Sequence, residues 1–246
     1  MKKQQVISVI SAIGLTVFTV FSGYAAVAQK SKDADTVLTA QLSARVGFVP
    51  PLEDGAPTHT RGGATRDPSC DALQVLPEDS RGLTAASRPM VQAYFQGGVK
   101  QVWLKIESVD GSEYYEYEPD EYFALPEGKG FASVPLPETL DTLTLDKQYV
   151  WSMALLCSNS LGPASPVVRG SIRRVSTRLE AAEMSGMSLL EKANAYGRAG
   201  LWYDFIATLT QMKLESPDDM QVAYDWEASL RAEGLDTIFD ELAIAE

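Results

Sequence analysis

Few side chains in this sequence are suited to catalysis at neutral pH. The 246 residues include one histidine, His59, and two cysteines, Cys70 and Cys157. One histidine cannot build a metal site of two or three imidazoles, so histidine-based acid–base catalysis would depend on His59 alone. His59 lies in a segment rich in proline and glycine, which is a poor platform for a preorganised base. The sequence therefore predicts no catalytic residue, no metal and no cofactor.

The charged residues and the absence of known motifs argue against several further classes of function. The chain has 33 acidic and 21 basic residues and a net charge of −12, which argues against binding to a nucleic-acid backbone. It has no phosphate-binding loop, no dinucleotide-binding glycine motif and no nucleophile-elbow motif. A carboxylate-dependent hydrolase stays open as an alternative, because so many acidic residues readily supply the two carboxylates that a glycosidase uses.

One segment, residues 113–122, combines tyrosine and acidic residues at high density. In one hypothesis it forms a carbohydrate-binding site. Tyr115 and Tyr117 would stack on a sugar ring, and the carboxylates would accept hydrogen bonds from the hydroxyl groups of the sugar. The carboxylates are also ligands that Ca²⁺ prefers, but the 12-residue calcium-loop pattern does not occur. The alternation of tyrosine and glutamate also fits a strand with a solvated acidic face and a packed tyrosine face.

The first 28 residues have the organisation of an export signal. Two lysines precede an apolar run of about 16 residues, and Ala26-Val27-Ala28 forms a small-x-small cleavage site. The run is shorter than the roughly 20 residues that cross a bilayer, which favours cleavage before Gln29 over a permanent anchor. Cleavage would leave a mature chain with a net charge of −14 and no transmembrane segment. We therefore expect an exported protein of the periplasm or outer envelope, with secretion into the extracellular medium as an alternative.

Export also changes how the two cysteines are interpreted. Disulfides persist outside the cytoplasm, and an even number of cysteines favours one bridge between Cys70 and Cys157. That bridge would close a loop of 87 residues and stabilise the fold by about 4–5 kcal/mol in the chain-entropy treatment. Two buried free thiols are the alternative.

Residues 29–66 are predicted to form a proline- and glycine-rich linker and arm. Three prolines and three glycines between residues 48 and 63 are incompatible with a helix or a central strand. The arm either presents Arg61 and Arg66 to an anionic group of a ligand or partner, or lies along the domain that follows.

Residues 67–175 are predicted to form an antiparallel β-sandwich of the immunoglobulin-like type, an all-β fold. Residues 99–109 alternate between apolar and polar, Asp110-Gly111 is a strong hairpin signal, and residues 112–117 return as the next strand. Residues 149–157 are largely apolar on both faces, which predicts a central strand between packed layers. Further strands are expected at residues 73–76, 90–95, 131–134 and 167–175.

Residues 176–246 are predicted to form a small C-terminal helical hairpin. Ser176 and Thr177 are expected to cap a first helix, and Ser188 with Glu191 is the pattern of a capping box. Apolar residues recur at helical spacing, and glycine or proline follows each stripe; the stripes are Leu201, Phe205, Leu209 and Met212, then Val222, Trp226 and Leu230. The spacing of Tyr196, Gly200, Trp202 and Pro217 is similar to one tetratricopeptide unit.

Trp202 and Tyr203 open one of these helices and have two interpretations. They either pack between the helices and the sandwich, or form an exposed aromatic patch that binds a partner.

A series of short motifs follows in a fixed order along the chain: Phe48-x-Pro50-Pro51, Gly55-Ala56-Pro57, Arg61-x-Gly63-x-Thr65-Arg66, Cys70, Tyr149-x-Trp151 before Cys157, Ala199-Gly200-Leu201-Trp202-Tyr203-Asp204, and Trp226 before Gly234-Leu235. This order resembles the DUF928 family of exported cyanobacterial proteins. The resemblance implies export and a shared architecture but supplies no activity. A cyanobacterial origin would add the thylakoid lumen to the compartments that stay open.

Taken together, these features predict an exported envelope protein that acts as a non-catalytic binding or protein-interaction module, with another envelope protein or a glycan as its partner. A carbohydrate-binding module that uses the tyrosine-rich segment is the first alternative, and the hydrolase is the second.

Overall fold

A computed structural model of the protein describes residues 43–51, 72–77, 82–95, 98–117, 130–136, 141–156, 165–179, 181–236 and 238–239. The chain divides into two units, Met1–Ser43 and Ala44–Glu246, and every helix and strand below belongs to the second. Several predictions concern residues outside the described ranges: the signal peptide, His59, Arg61, Arg66 and the disulfide between Cys70 and Cys157. They stay predictions.

The described strands form two β-sheets. In chain order the strands are β1 (Ala72–Gln74), β2 (Leu83–Thr84), β3 (Met90–Phe95), β4 (Gln101–Ser108), β5 (Tyr114–Tyr117), β6 (Gly130–Pro135), β7 (Gln148–Leu156) and β8 (Val167–Arg174). The first sheet has three antiparallel strands in the order β1–β3–β6, and the second has five in the order β2–β8–β7–β4–β5. Each run that was predicted to be a strand overlaps one of these eight.

One pairing corrects the prediction of a purely antiparallel fold. Strand β2 pairs in parallel with β8, with Leu83 opposite Arg173, so the second sheet is mixed. The sequence does not reveal β2, because two residues are too few to show alternation. The central position predicted for residues 149–157 is confirmed within the sheet, since β7 lies between β4 and β8. Burial between two packed layers is not confirmed, because every second residue of β7 is only half-buried.

Strand β3 is buried on both of its faces. Val91, Ala93 and Phe95 form one face, while Gln92 and Tyr94 form the other. Gln92 lies within hydrogen-bonding distance of the helical residue Thr210, with 3.3 Å between Oε1 and Oγ1. The helices therefore cover one face of the first sheet, and the opposite face contributes to the hydrophobic core.

The described helices follow the last strand. They are α1 (Ala181–Ser185), α2 (Leu189–Arg198), α3 (Trp202–Glu215) and α4 (Met220–Ala232). The predicted capping box at Ser188 and Glu191 is confirmed, as are the two buried stripes of α3 and α4. Gly200, at φ 69°, separates α2 from α3 because few other residues adopt this backbone conformation.

Two details of the helical prediction are not confirmed. Thr177 does not cap the first helix, which begins only at Ala181; its Oγ1 instead accepts a hydrogen bond from the backbone N–H of Leu179. The described chain also has four helices instead of a simple hairpin, because the segment is interrupted at residues 186–188, at Gly200 and at residues 216–219. The tetratricopeptide-like unit is not confirmed.

Loss of the capping box has a measurable expected cost. Ser188→Ala removes the hydroxyl that accepts from Glu191 N at 3.3 Å, and we expect the free energy of unfolding to fall by about 1 kcal/mol. Urea denaturation measures this difference. Glu191→Gln is the control, since it keeps an acceptor for Ser188 N, and a loss as large as that of Ser188→Ala would contradict the capping interpretation.

Residues 44–51 form an extended segment, here called the N-terminal strap, which lies along the helices. Phe48 packs on Trp202 and Phe205 with ring centroids 5.0 Å and 5.8 Å away. The backbone N–H of Val49 donates to Gly197 O at 3.0 Å. A side chain at Gly197 would collide with the strap, because its Cβ would lie 2.2 Å from Gly47 O. This part of the predicted arm therefore lies along the folded domain.

The strap is also held by an ion pair between Arg45, which is partly exposed, and a buried carboxylate. The Asp225 side chain is completely buried, and it accepts hydrogen bonds from the Arg45 backbone N–H at 2.9 Å and from Arg45 Nε at 2.7 Å. Gln221 Nε2 donates to the same carboxylate at 3.1 Å. Arg45 and Asp225 are 180 residues apart in the sequence, so this contact joins the start of the unit to its last long helix.

A polar cluster closes the end of the second sheet near the turn between β4 and β5. The Tyr149 hydroxyl donates to Glu113 Oε2 and accepts from the Thr144 backbone N–H at 2.9 Å. Lys147 Nζ donates to Glu113 Oε1 at 2.6 Å. The hydrogen bonds from Lys147 and Tyr149 lower the pKa of Glu113 to about 2.

This lowered pKa predicts a pH dependence of stability. The folded state holds the pKa of Glu113 below its ordinary value of 4.5, so the stabilisation is complete above pH 4.5 and is lost as the pH falls toward 2. We expect Glu113→Gln to reduce the loss of thermal stability across that window. Melting curves between pH 7 and pH 2 measure it, with the exposed Glu183→Gln as control. Equal slopes for wild type and Glu113→Gln would contradict the prediction.

Candidate functional site: a groove between the third helix and the first sheet

An open groove lies between α3 and the first sheet. Its volume is about 340 Å³, which falls within the range of small-ligand sites. We call it the helix–sheet groove. Its lining residues come from β2, the segment that joins β2 to β3, the first residue of β3, strand β6 and helices α2 and α3: Thr84, Ala86, Arg88, Pro89, Met90, Ser133, Tyr196, Tyr203, Asp204, Ala207, Thr208, Thr210, Gln211 and Leu214.

One face of α3 forms a wall of the groove. Asp204, Ala207, Gln211 and Leu214 recur at intervals of three or four residues and therefore share one side of the helix. The neighbouring side carries the buried stripe that packs into the core. The helix is therefore fixed by its core face, while its groove face combines a carboxyl, an amide and aliphatic groups.

Asp204 fixes the opposite wall. Its Oδ2 accepts the backbone N–H of Ala85 at 2.9 Å, and its carboxyl is also hydrogen-bonded to the Thr84 side chain and to the backbone of Ala86. Burial raises the pKa of Asp204, and these hydrogen bonds act in the opposite direction. The carboxyl therefore holds residues 84–86 at the edge of the groove.

Two aromatic residues join the helices to the sheets beside the groove. Trp202 Nε1 donates to Val75 O at 2.9 Å. The Tyr203 hydroxyl accepts from Trp151 Nε1 at 2.6 Å and donates to Ser171 O at 2.8 Å. Burial raises the pKa of Tyr203, so this hydroxyl keeps its proton.

These contacts decide between the two interpretations of Trp202 and Tyr203. Their side chains are 0% and 2% exposed. The interpretation that both residues pack between the helices and the sheets is therefore confirmed, and neither side chain offers an exposed surface to a partner. Tyr203 reaches the groove only as part of its lining.

The rim of the groove carries exposed apolar side chains. Met90 is 44% exposed on one side and Leu214 is 76% exposed on the other. Arg88 and Gln211 add polar groups, and the half-buried Tyr196 adds a ring whose hydroxyl has a pKa raised by burial and by the charge of Asp204. A partner can therefore make both apolar contacts and hydrogen bonds here.

Of the other predicted site residues, the structure describes the strand positions of Tyr115 and Tyr117. Tyr115 and Tyr117 lie in β5, opposite Ile106 and Leu104 of β4. Among the hairpin side chains whose exposure the structure describes, Tyr114 is 52% exposed and Trp103 is 37% exposed. The sequence analysis did not single out Trp103, although its alternation with buried Val102 and Leu104 is a signal that could have placed it outside.

Two further observations concern the described ranges alone. Within them, no group of three or more His, Cys, Asp or Glu side chains is arranged to hold a metal ion. No helix in this part of the chain is long and apolar enough to cross a membrane.

The protein is therefore of a mixed β and α class. It has two β-sheets and a set of helices, with an open groove where the helices meet the first sheet. The chain belongs to the family described as Domain of Unknown Function (DUF928), whose profile matches residues 56–243. The resemblance in the sequence motifs is thereby confirmed at the level of the family. No curated protein matches the sequence.

Among solved structures, the chain is similar to the fn3 domain of human collagen alpha-1(XX) chain, determined in solution. The two are 13% identical, and the alignment covers 53% of this chain and 98% of that domain with a TM-score of 0.27. A TM-score this low does not establish a shared fold, so the architecture rests on the strand order described above.

Proposed function

We propose that this protein is an exported envelope protein that works as a non-catalytic protein-interaction module and binds its partner in the helix–sheet groove. The groove itself is the observation that carries the proposal, since its 340 Å³ are flanked by the exposed side chains of Met90 and Leu214. Exposed apolar residues around a concave surface are typical of interaction sites. The partner we expect is a protein segment that places an apolar side chain against α3.

The number of carboxyl groups among the described lining residues of the groove favours binding over hydrolysis. Among its described lining residues, Asp204 is the one carboxylic acid, whereas glycosidases use two about 5–10 Å apart. Its Oδ2 already accepts the N–H of Ala85. Asp204 therefore serves as a structural anchor of the groove wall.

We infer that the two sheets pack as an immunoglobulin-like sandwich. The strand order, with β1–β3–β6 in one sheet and β8–β7–β4–β5 in the other, supports this inference. The bond from Thr144 N to the Tyr149 hydroxyl supports it too, because a tyrosine at the start of the corresponding strand bonds to the upstream backbone in such folds. The rigid sheets then present the groove in a fixed shape.

Export is the part of the proposal that rests on the first 28 residues. We expect the mature chain to begin at Gln29 and to fractionate with the periplasm or outer envelope. Intact-mass measurement of the protein from fractionated cells tests both statements. An uncleaved chain in the cytoplasmic fraction would overturn export and leave the groove untouched.

The binding site is tested with two matched leucine variants. Leu214→Glu puts a charge on the groove rim, and Leu145→Glu puts one at another exposed leucine, 45% exposed, outside the groove. We expect envelope extracts to yield a partner whose affinity for the purified protein falls at least about tenfold with Leu214→Glu. Leu145→Glu should bind as wild type does. Equal binding by both variants would overturn the assignment of the groove.

A further inference from the structure

On one face of the second sheet, the strand register places small, half-buried residues of β7 between larger residues of its neighbours. Ser152 and Ala154 of β7 lie between larger residues of β4 and β8: Ser152 pairs with Lys105 and Arg169, and Ala154 with Trp103 and Val167. Because side chains in register stand on the same face, the small residues form a floor and the larger ones form two walls. We call this the β7 channel.

The walls carry aromatic rings and positive charges. Trp103 is 37% exposed, and Arg169 is exposed on the opposite wall. Lys105 Nζ lies 5.0 Å from the ring centroid of Tyr114, which is 52% exposed. Two strand spacings separate Lys105 from Arg169, or about 10 Å between their backbones.

We propose that the β7 channel binds an acidic polysaccharide, with Trp103 stacking on a sugar ring and with Lys105 and Arg169 contacting carboxylates of successive sugars. This site is separate from the helix–sheet groove and does not depend on the proposed function. The carbohydrate-binding hypothesis above used Tyr115 and Tyr117; the present proposal uses Trp103, whose side chain is exposed.

A polysaccharide fits this face better than a peptide strand. The backbone of β7 is already paired with β4 on one side and β8 on the other, so it offers no free edge for an added strand. What remains are side-chain contacts: an indole face, two cations and the small hydroxyl of Ser152. These groups suit sugar rings that carry hydroxyls and carboxylates.

The charge of Arg169 supports an anionic ligand, whereas Lys105 has Glu107 on its own strand and Glu116 of β5 as its register partner. Within the described part of the chain, no carboxylate forms an ion pair with Arg169, while Glu107 pairs with Lys105 at 2.9 Å. Both members of that pair are about half exposed, so water screens their attraction and the pair contributes little stability. A ligand carboxylate can therefore displace Glu107 at little cost. Since the whole protein is acidic, attraction must come from these local contacts.

The experiment uses polygalacturonate as the probe and its fully methyl-esterified form as the uncharged comparison. We expect the wild-type chain to bind polygalacturonate in low salt, measured by calorimetry, and to bind it more weakly as salt rises. Trp103→Ala should weaken binding at least about tenfold. Arg169→Gln should weaken it about threefold to fivefold, and it keeps the test valid if Trp103→Ala does not fold.

Two control variants lie on the helices. Tyr224→Ala removes another exposed aromatic ring, and Arg198→Gln removes another exposed cation, and both should bind as wild type does. The proposal is overturned if the wild-type chain does not bind polygalacturonate, if the channel variants bind it unchanged, or if the methyl ester binds equally well.

Discussion

Trp202→Ala is expected to lower the free energy of unfolding by about 3–5 kcal/mol, which is typical for truncation of a fully buried tryptophan. Trp202 is 0% exposed and packs on Phe48 of the strap and on Phe205 of its own helix. Its Nε1 also donates to Val75 O at 2.9 Å, and the variant would leave that carbonyl without its partner. Guanidinium denaturation measures the loss.

Trp103→Ala is the matched control for this prediction. Trp103 is 37% exposed and lies on the outer face of the second sheet, so we expect its truncation to cost less than half as much. Similar losses for the two tryptophans would contradict the role of Trp202 in joining the strap, the helices and the sheets.

Arg45→Ala is expected to lower the free energy of unfolding by about 2–4 kcal/mol. It leaves the fully buried carboxylate of Asp225 without its cation, and the usual cost of breaking a buried pair is about 3–5 kcal/mol. The value is reduced here because the Arg45 side chain is 39% exposed and water can take part of its place. Urea denaturation is again the measurement.

A double-mutant cycle separates the ion pair from other effects. Asp225→Asn in the Arg45→Ala background should cost little more than Arg45→Ala alone, because the carboxylate that needed the cation is gone. Lys105→Ala is the control for an exposed pair and should cost less than about 1 kcal/mol. Additive losses for Arg45 and Asp225 would refute the coupling between strap and helix.

Local features of the fold were predictable because their signals lie within a few residues. The capping box at Ser188 and the stripe from Leu201 to Met212 follow from helical spacing, and the pairing of β4 with β5 follows from Asp110-Gly111. The bond between Arg45 and Asp225 was not predictable, because no local pattern links residues 180 positions apart. Strand β2 was not predicted because its two residues are too few to show the alternation of apolar and polar residues that identifies a strand.

The candidate site was less predictable than the fold. Trp202 and Tyr203 stood out in the sequence because they are large and adjacent, yet large aromatic residues are as often packing as binding residues, and here both are buried. The groove depends on Met90, Asp204 and Leu214, which come together only when α3 lies across the first sheet. Asp204 gave a weak signal as an acid in the first turn of its helix.

Photo-cross-linking from the groove wall tests the central claim most directly. A photoreactive amino acid at Gln211, which is exposed on the groove face of α3, should give a cross-linked adduct with one envelope protein in the living cell. The same amino acid at Tyr224, 38% exposed on α4 and outside the groove lining, should not give that adduct. The same adducts from both positions, or none from Gln211, would contradict the proposal that the helix–sheet groove binds a partner.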